Sequence, residues 1–249
     1  MGHQDQHESF YTNYESVWKL FDELHVAKPN LFIDCTFETM GGLQLIDYAM
    51  LKHAEGNWLS NFYGPPDENL DLRVRNMAWW RSPSMPATAL VIGNPEMQDK
   101  GWEMHIKSLA GALPIMLGDP RKLSIADLKK YRAYADWLQK MTNKHDIMSF
   151  RQDLAGFGEP MNGMWDGFQR INTETQSGGI IGVFKQGGVE MERLVTINYL
   201  NPVKVYTIKE SISGKIVANS TGKQLEERGF KVIIMKEYGG QLFEITSPK

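Results

Sequence analysis

The chain has 249 residues, 42% of them hydrophobic and 23% charged, with a formal net charge of −3 at neutral pH. That is a globular composition with enough apolar residues for one or two cores. The slight negative charge, with Lys and Arg scattered rather than striped, excludes a dedicated nucleic-acid binder. No run approaches the roughly 20 apolar residues of a membrane span, and the N-terminal MGHQDQHESF lacks the layout of a signal peptide. The single Cys35 excludes a disulfide framework and a cysteine-rich zinc site. These features read as a cytoplasmic chain, unless a leader precedes residue 1.

Over residues 12–25, Tyr14, Val17, Trp18, Phe21 and Leu24 recur every three or four positions, which predicts an amphipathic helix. Pro29-Asn30 ends it, and Leu31-Phe32-Ile33 reads as a short buried strand running into Asp34-Cys35. Residues 43–53 return to helical spacing. A strand over 57–59 then opens into a polar, proline-bearing loop over 61–69. A helix over 70–80, a strand over 87–92, a helix over 102–112 and a strand over 113–117 follow. A long helix over 125–141 has Ser124 and Asp127 placed to cap it. Strand, loop and helix thus alternate four times, the grammar of parallel α/β units with strands buried on both faces.

After residue 145 the pattern changes. Short β runs at 167–172, 179–185, 193–199, 204–208, 215–218, 230–235 and 242–246 are separated by turn pairs such as Gly187-Gly188 and Asn201-Pro202. They predict an antiparallel, sandwich-like β-domain over 146–249 behind an α/β domain over 1–145. Four α/β units cannot close a (β/α)8 barrel, which takes about 250 residues. The α/β part is therefore either an open sheet or the second half of a barrel.

Functional residues in such folds sit where strands end. Four groups qualify: Asp34-Cys35 with Glu38, Trp58 and Asn61 with Asp67, Glu68 and Asp71, Gly93-Asn94, and Asp119 with Arg121. Carboxylates there suit acid–base work, because a cleft desolvates some and leaves others ionised. The same residues also serve as helix caps and loop solvators. Trp58, Trp79 and Trp80 are candidates for a sugar-stacking platform, with Trp58 best placed and one of the other two expected in the core. Cys35 lacks a neighbouring base and reads as packing, and His53 as a structural histidine. His3 and His7 share the spacing of a helical metal pair but lack its glutamate, so no metal site is expected. GFGEPMNG over 156–163 misplaces the third glycine of a dinucleotide loop and reads as an interdomain connection.

The order of these features resembles the second half of the α-galactosidase (melibiase-like) glycoside hydrolases, family 36 and its clan. LFIDCTFETMGG over 31–42 is similar to the end of their fifth strand. WLSN over 58–61 with LRVRNMAWW over 72–80 is similar to their sixth strand and its arginine-bearing helix. IMLGDPRKLS over 115–124 is similar to their eighth strand and Lys-Leu-Ser helix start. FRQDLAGFGEP through GIIGVFKQG, over 150–187, fits their transition into a β-domain. The resemblance covers nearly the whole chain. It implies strands five to eight of a (β/α)8 TIM barrel followed by an antiparallel β-sandwich.

The activity it implies is retaining hydrolysis of α-linked sugars, an α-galactoside or a related carbohydrate, by two carboxylates about 5 Å apart. No metal or organic cofactor is required. By the same resemblance Asp34, Cys35 and Glu38 lie near the sugar hydroxyls and Trp58 forms an apolar wall. Two departures stand out. The family nucleophile, an aspartate in a Lys-x-Asp context on the fourth strand, belongs before the matched segment, and Asp5 sits in a polar stretch that offers no substitute. Asn61 stands where the acid/base is expected, and an amide cannot donate a catalytic proton. Asp67 becomes the acid/base candidate and Asn61 a sugar contact. The arginine that usually follows the glycine pair is also replaced, by Leu43-Gln44.

Hydrolysis by this chain alone is therefore not expected. Half a barrel would leave two strand edges unpaired, which homo-association could cover. A non-catalytic carbohydrate-binding protein is the alternative reading. An unrelated open-sheet enzyme would need a nucleophile elbow or a phosphate loop, and the sequence carries neither.

Overall fold

The structure, a computed structural model, describes residues 6–35, 48–58, 70–93 and 96–248. Residues 1–59 and 60–249 form two compact units.

In the first unit, helix α1 (Gln6–Ala27) extends beyond the span its periodicity predicts. Tyr14, Val17, Trp18, Phe21 and His25 form its part-buried stripe. The strand expected at Leu31-Phe32-Ile33 lies further on. Strand β1 is Asp34–Cys35, paired in parallel with β2 (Gly56–Trp58), Asp34 opposite Gly56 and Cys35 opposite Asn57. The reason is local. The Ile33 amide donates to the Glu55 carboxylate at 2.8 Å, and its carbonyl accepts from the Glu55 and Gly56 amides at 3.0 Å each. Those bonds hold Ile33 at the mouth of the ladder and leave Phe32 48% exposed. Two histidine–carboxylate contacts tie α1 to the segment that leads into β2: His25 Nε2 with Glu55 at 2.9 Å, and His53 Nδ1 with Asp22 at 2.7 Å. The His53 ring also stacks on Trp18 at 5.2 Å, so His53 is structural. Of the helix expected over 43–53, residues 43–47 lie outside the described residues, and Met50–Lys52 form a 3-10 turn.

The second unit begins with α2 (Leu70–Arg81), β3 (Leu90–Ile92), α3 (Trp102–Leu109), β4 (Leu113–Pro114) and α4 (Ile125–His145). Strands β3 and β4 pair in parallel, Val91 opposite Leu113. Strand β3 is shorter than the run over 87–92 because Ala87–Ala89 turn as a 3-10 helix behind Pro86. The Ser124 hydroxyl accepts from the Asp127 amide at 3.1 Å, the cap its sequence announces.

The remainder is antiparallel. Strands β5 (Gln152–Asp153), β6 (Trp165–Ile171), β7 (Gly178–Gln186), β9 (Val205–Glu210), β10 (Ile216–Thr221) and β12 (Tyr238–Thr246) form a six-stranded sheet ordered β10-β9-β12-β7-β6-β5. Strands β8 (Glu192–Val195) and β11 (Phe230–Ile233) form a separate ribbon. A short helix α5 (Gly222–Glu227), fixed by a capping box between Thr221 and Gln224, replaces the turn expected after β10.

Alternation along β7 builds two cores from one strand. Ile181 and Val183 pack with Val195, Ile208, Phe230, Val232 and Ile245 on the ribbon side. Ile180 and Phe184 pack with Ile106, Trp137, Leu138 and Met141 from α3 and α4 on the other. Gly182 lies between them under the Phe168 ring, where an added Cβ would come within 2.5 Å of ring carbon. The whole strand is buried, as its near-continuous apolar run requires.

Candidate functional site

Asp34 and Trp58 stand at the carboxyl ends of two neighbouring parallel strands. The pairing of Cys35 with Asn57 sets their register, so that the Trp58 backbone N–H donates to the Asp34 carboxylate. Asp34 keeps an exposed edge, yet burial of the rest of the group pushes its carboxyl up to about 6, and the Trp58 hydrogen bond only partly offsets this. At neutral pH it is ionised and incompletely solvated, a state suited to accepting hydrogen bonds from a ligand's hydroxyl groups.

Cys35 behaves differently. Burial, reinforced by the negative charges of Asp34 and Glu55, pushes its thiol up to about 11. It stays protonated at neutral pH and is no nucleophile. The side chain of Trp58 is half-buried beside this pair. Asp34, Cys35 and Trp58 are thus brought together. Glu38, Asn61 and Asp67 lie outside the described residues.

The strand-end carboxylate Asp119 is occupied. Its two oxygens bind the Arg121 guanidinium at 2.9 Å each, and one also accepts the Arg121 amide, so it caps a turn. Asp71, in the first turn of α2, accepts from His105 Nδ1 at 2.5 Å. His105 is buried in α3, with Nε2 facing Asp99 at 3.9 Å. No motif in the sequence marks His105, because a lone histidine within a helix carries no spacing signal.

The second unit also holds a buried charge network. Arg75 of α2 binds both oxygens of Asp166 at 2.7 and 3.1 Å, Ser108 at 2.9 Å and Gln186 at 2.7 Å, with its guanidinium 4.4 Å from the Phe184 ring centre. Every partner is protein, so the network fixes α2 and α3 on the sheet and offers nothing to a ligand. A groove of about 710 Å³ over the β8–β11 ribbon is similarly self-satisfied. Arg193 lies over the Phe157 ring and pairs with Glu190, while Lys231 pairs with Glu192. Among the described residues no group of His, Cys, Asp and Glu could hold a metal ion, and no helix is long and apolar enough to cross a membrane.

No protein-family model matches this chain, and no curated protein does. Solved glycoside hydrolases do match it in fold. The chain superposes over 93% of its length on the galactosidase domain of the α-galactosidase–sucrose kinase AgaSK, with a TM-score of 0.68 and 17% identity. It covers 94% of its length on the α-galactosidase of Lactobacillus brevis (TM-score 0.70, 16% identity). On a variant of the family 36 α-galactosidase AgaA of Geobacillus stearothermophilus, solved with raffinose, it covers 93% (TM-score 0.71, 12% identity). In each case it spans 31% of the other chain. The chain therefore has the fold of part of a family 36 α-galactosidase, consistent with a C-terminal part.

Proposed function

We propose that this chain is the C-terminal portion of an α-galactosidase-like retaining glycoside hydrolase. On this reading residues 1–145 supply strands five to eight of a (β/α)8 barrel and residues 146–249 the β-sandwich that follows it. The observation that carries the proposal is the half-desolvated Asp34, held at a strand end by the Trp58 amide, within a fold shared with galactosidases. In its ionised form Asp34 accepts hydrogen bonds from sugar hydroxyls, Trp58 offers its ring to the apolar face of the sugar, and Cys35 packs beside them. Glu38 and Asn61 complete the hydroxyl contacts, and Asp67 is the acid/base. The ligand is an α-galactoside or a related α-linked sugar.

Residues 1–249 hold no aspartate that matches the family nucleophile, so half of the carboxylate pair that retention demands is missing. The chain by itself should bind raffinose without releasing galactose. Calorimetric titration with raffinose, together with an assay for free galactose, tests this. The expected result is binding without turnover and at least tenfold weaker binding by Asp34→Asn. Equal affinity of the wild type and Asp34→Asn would overturn the proposal.

A further inference from the structure

The outer face of α2 carries a large exposed aromatic ring that is nevertheless fixed. Trp80, in the last turn of the helix, is 57% exposed. A ring of that size left in water on a helix is ordinarily free to change rotamer, and here it is not. Its Nε1–H donates to Glu159 at 2.9 Å, and Trp79 meets it edge-on at 5.2 Å. The same Glu159 oxygen accepts from the Asn76 side-chain amide at 2.7 Å, so one carboxylate orients both an indole and an amide. Those two hydrogen bonds hold Glu159 below the usual carboxylate range, and it stays charged.

A groove of about 340 Å³ opens alongside, lined by Arg73, Asn76, Met77, Trp80, Arg81 and Pro160. Its size falls within the roughly 300–1,000 Å³ of small-molecule sites. An apolar ring face fixed beside the Arg81 guanidinium matches one ligand chemistry well. A pyranose presents axial C–H groups to an aromatic face and a rim of hydroxyls to in-plane donors. The carboxylate of Glu159 at the ring edge counts against an anion, despite the two arginines.

We infer that the groove beside Trp80 is a carbohydrate-binding site for a neutral hexopyranose. Within its unit Trp80 lies at the end of α2 from which the chain enters β3, whereas strand-end chemistry in such folds lies beyond the carboxyl ends of the strands. The site holds sugar without transforming it, since Glu159, the carboxylate at the ring edge, is engaged by Trp80 and Asn76. It stands whether or not Asp34 binds a sugar.

The test reads the indole N–H of Trp80 in a two-dimensional proton–nitrogen spectrum, identified as the peak lost in Trp80→Phe. Added raffinose should move that peak along a saturable curve, equally in the wild type and in Asp34→Asn. Glu159→Ala should weaken the response at least threefold, and Glu159→Gln, which keeps an acceptor for both donors, should restore most of it. Three results would overturn the inference. The peak could ignore raffinose, it could respond only when Asp34 is intact, or it could shift with protein concentration alone, which would mark a contact between copies at this face.

Discussion

The strand ends of residues 1–59 and the sheet core of residues 60–249 treat charge in opposite ways. In the core, Arg170 is wholly buried and spends its donors on backbone carbonyls: Nε on Ile147 and Phe150, Nη1 on Ala110 and Ala112, and Nη2 on Met148, at 2.5–3.0 Å. Burial lowers its pKa to about 9, which still leaves a cation at neutral pH. Arg75 and Asp166 are satisfied just as fully. At the strand ends, Asp34 is only partly buried and keeps an exposed edge. The lesson is that a charge saturated by its own protein is architecture, while a half-desolvated one with an open side is where a ligand can compete.

The largest effect should come from Arg170. Arg170→Met removes the donor from five carbonyls on two chain segments and should cost about 3–5 kcal/mol in urea denaturation. A loss below about 1 kcal/mol would break the comparison, because the buried cation would then not be organising the core. Asp166→Asn strands the Arg75 charge and should cost about 3 kcal/mol. The double replacement Arg75→Met with Asp166→Leu should recover more than half of that loss, whereas simple additivity of the two single effects would show the pair is not coupled.

The acid limb separates the regions by sign. His145 is buried with Nδ1 on the Ser177 hydroxyl at 3.0 Å, and burial, aided by the Lys144 charge, lowers its pKa from 6.5 to about 4. The unfolded chain takes up this proton first, so stability is full above pH 6.5 and is lost as pH falls through about 4. Thermal melts of His145→Gln should show a shallower acid decline than wild type. Asp34 runs the other way, with its folded value near 6 above the ordinary 3.8. Its contribution is present below pH 3.8 and lost as pH rises through about 6, a smaller effect because solvent screens the group. In melts between pH 4 and 7, Asp34→Asn should remove that small alkaline decline.

Much of the architecture is readable from the residues. The stripe of Tyr14, Val17, Trp18 and Phe21, the Ser124 cap and the β run over 179–185 each take the corresponding place in the fold, whereas Leu24, expected in the stripe, is exposed and His25 is part-buried in its stead. The strand errors share one cause: a side chain or a neighbouring proline claims the backbone group that pattern alone assigns to a strand. Glu55 does so at Ile33, and Pro86 ends the extended run before Leu90. Helix α5, fixed by Thr221 and Gln224, went unread because its six residues are too short for a periodicity to announce it. That Asp34, Cys35 and Trp58 stand together where neighbouring strands end could be read, because strand ends are positions a sequence marks. The clamp of Trp80 by Glu159 could not, because it joins residues 79 positions apart.

The central claim is that Asp34 binds sugar through its ionised carboxylate. The direct measurement is raffinose affinity between pH 4 and 8, taken in the Trp80→Ala background so that the outer groove is silent. The account predicts affinity that rises as pH passes about 6 when Asp34 is present, and weak, flat affinity when Asp34→Asn is added. A flat profile with Asp34 intact, or the same rise without it, would contradict it.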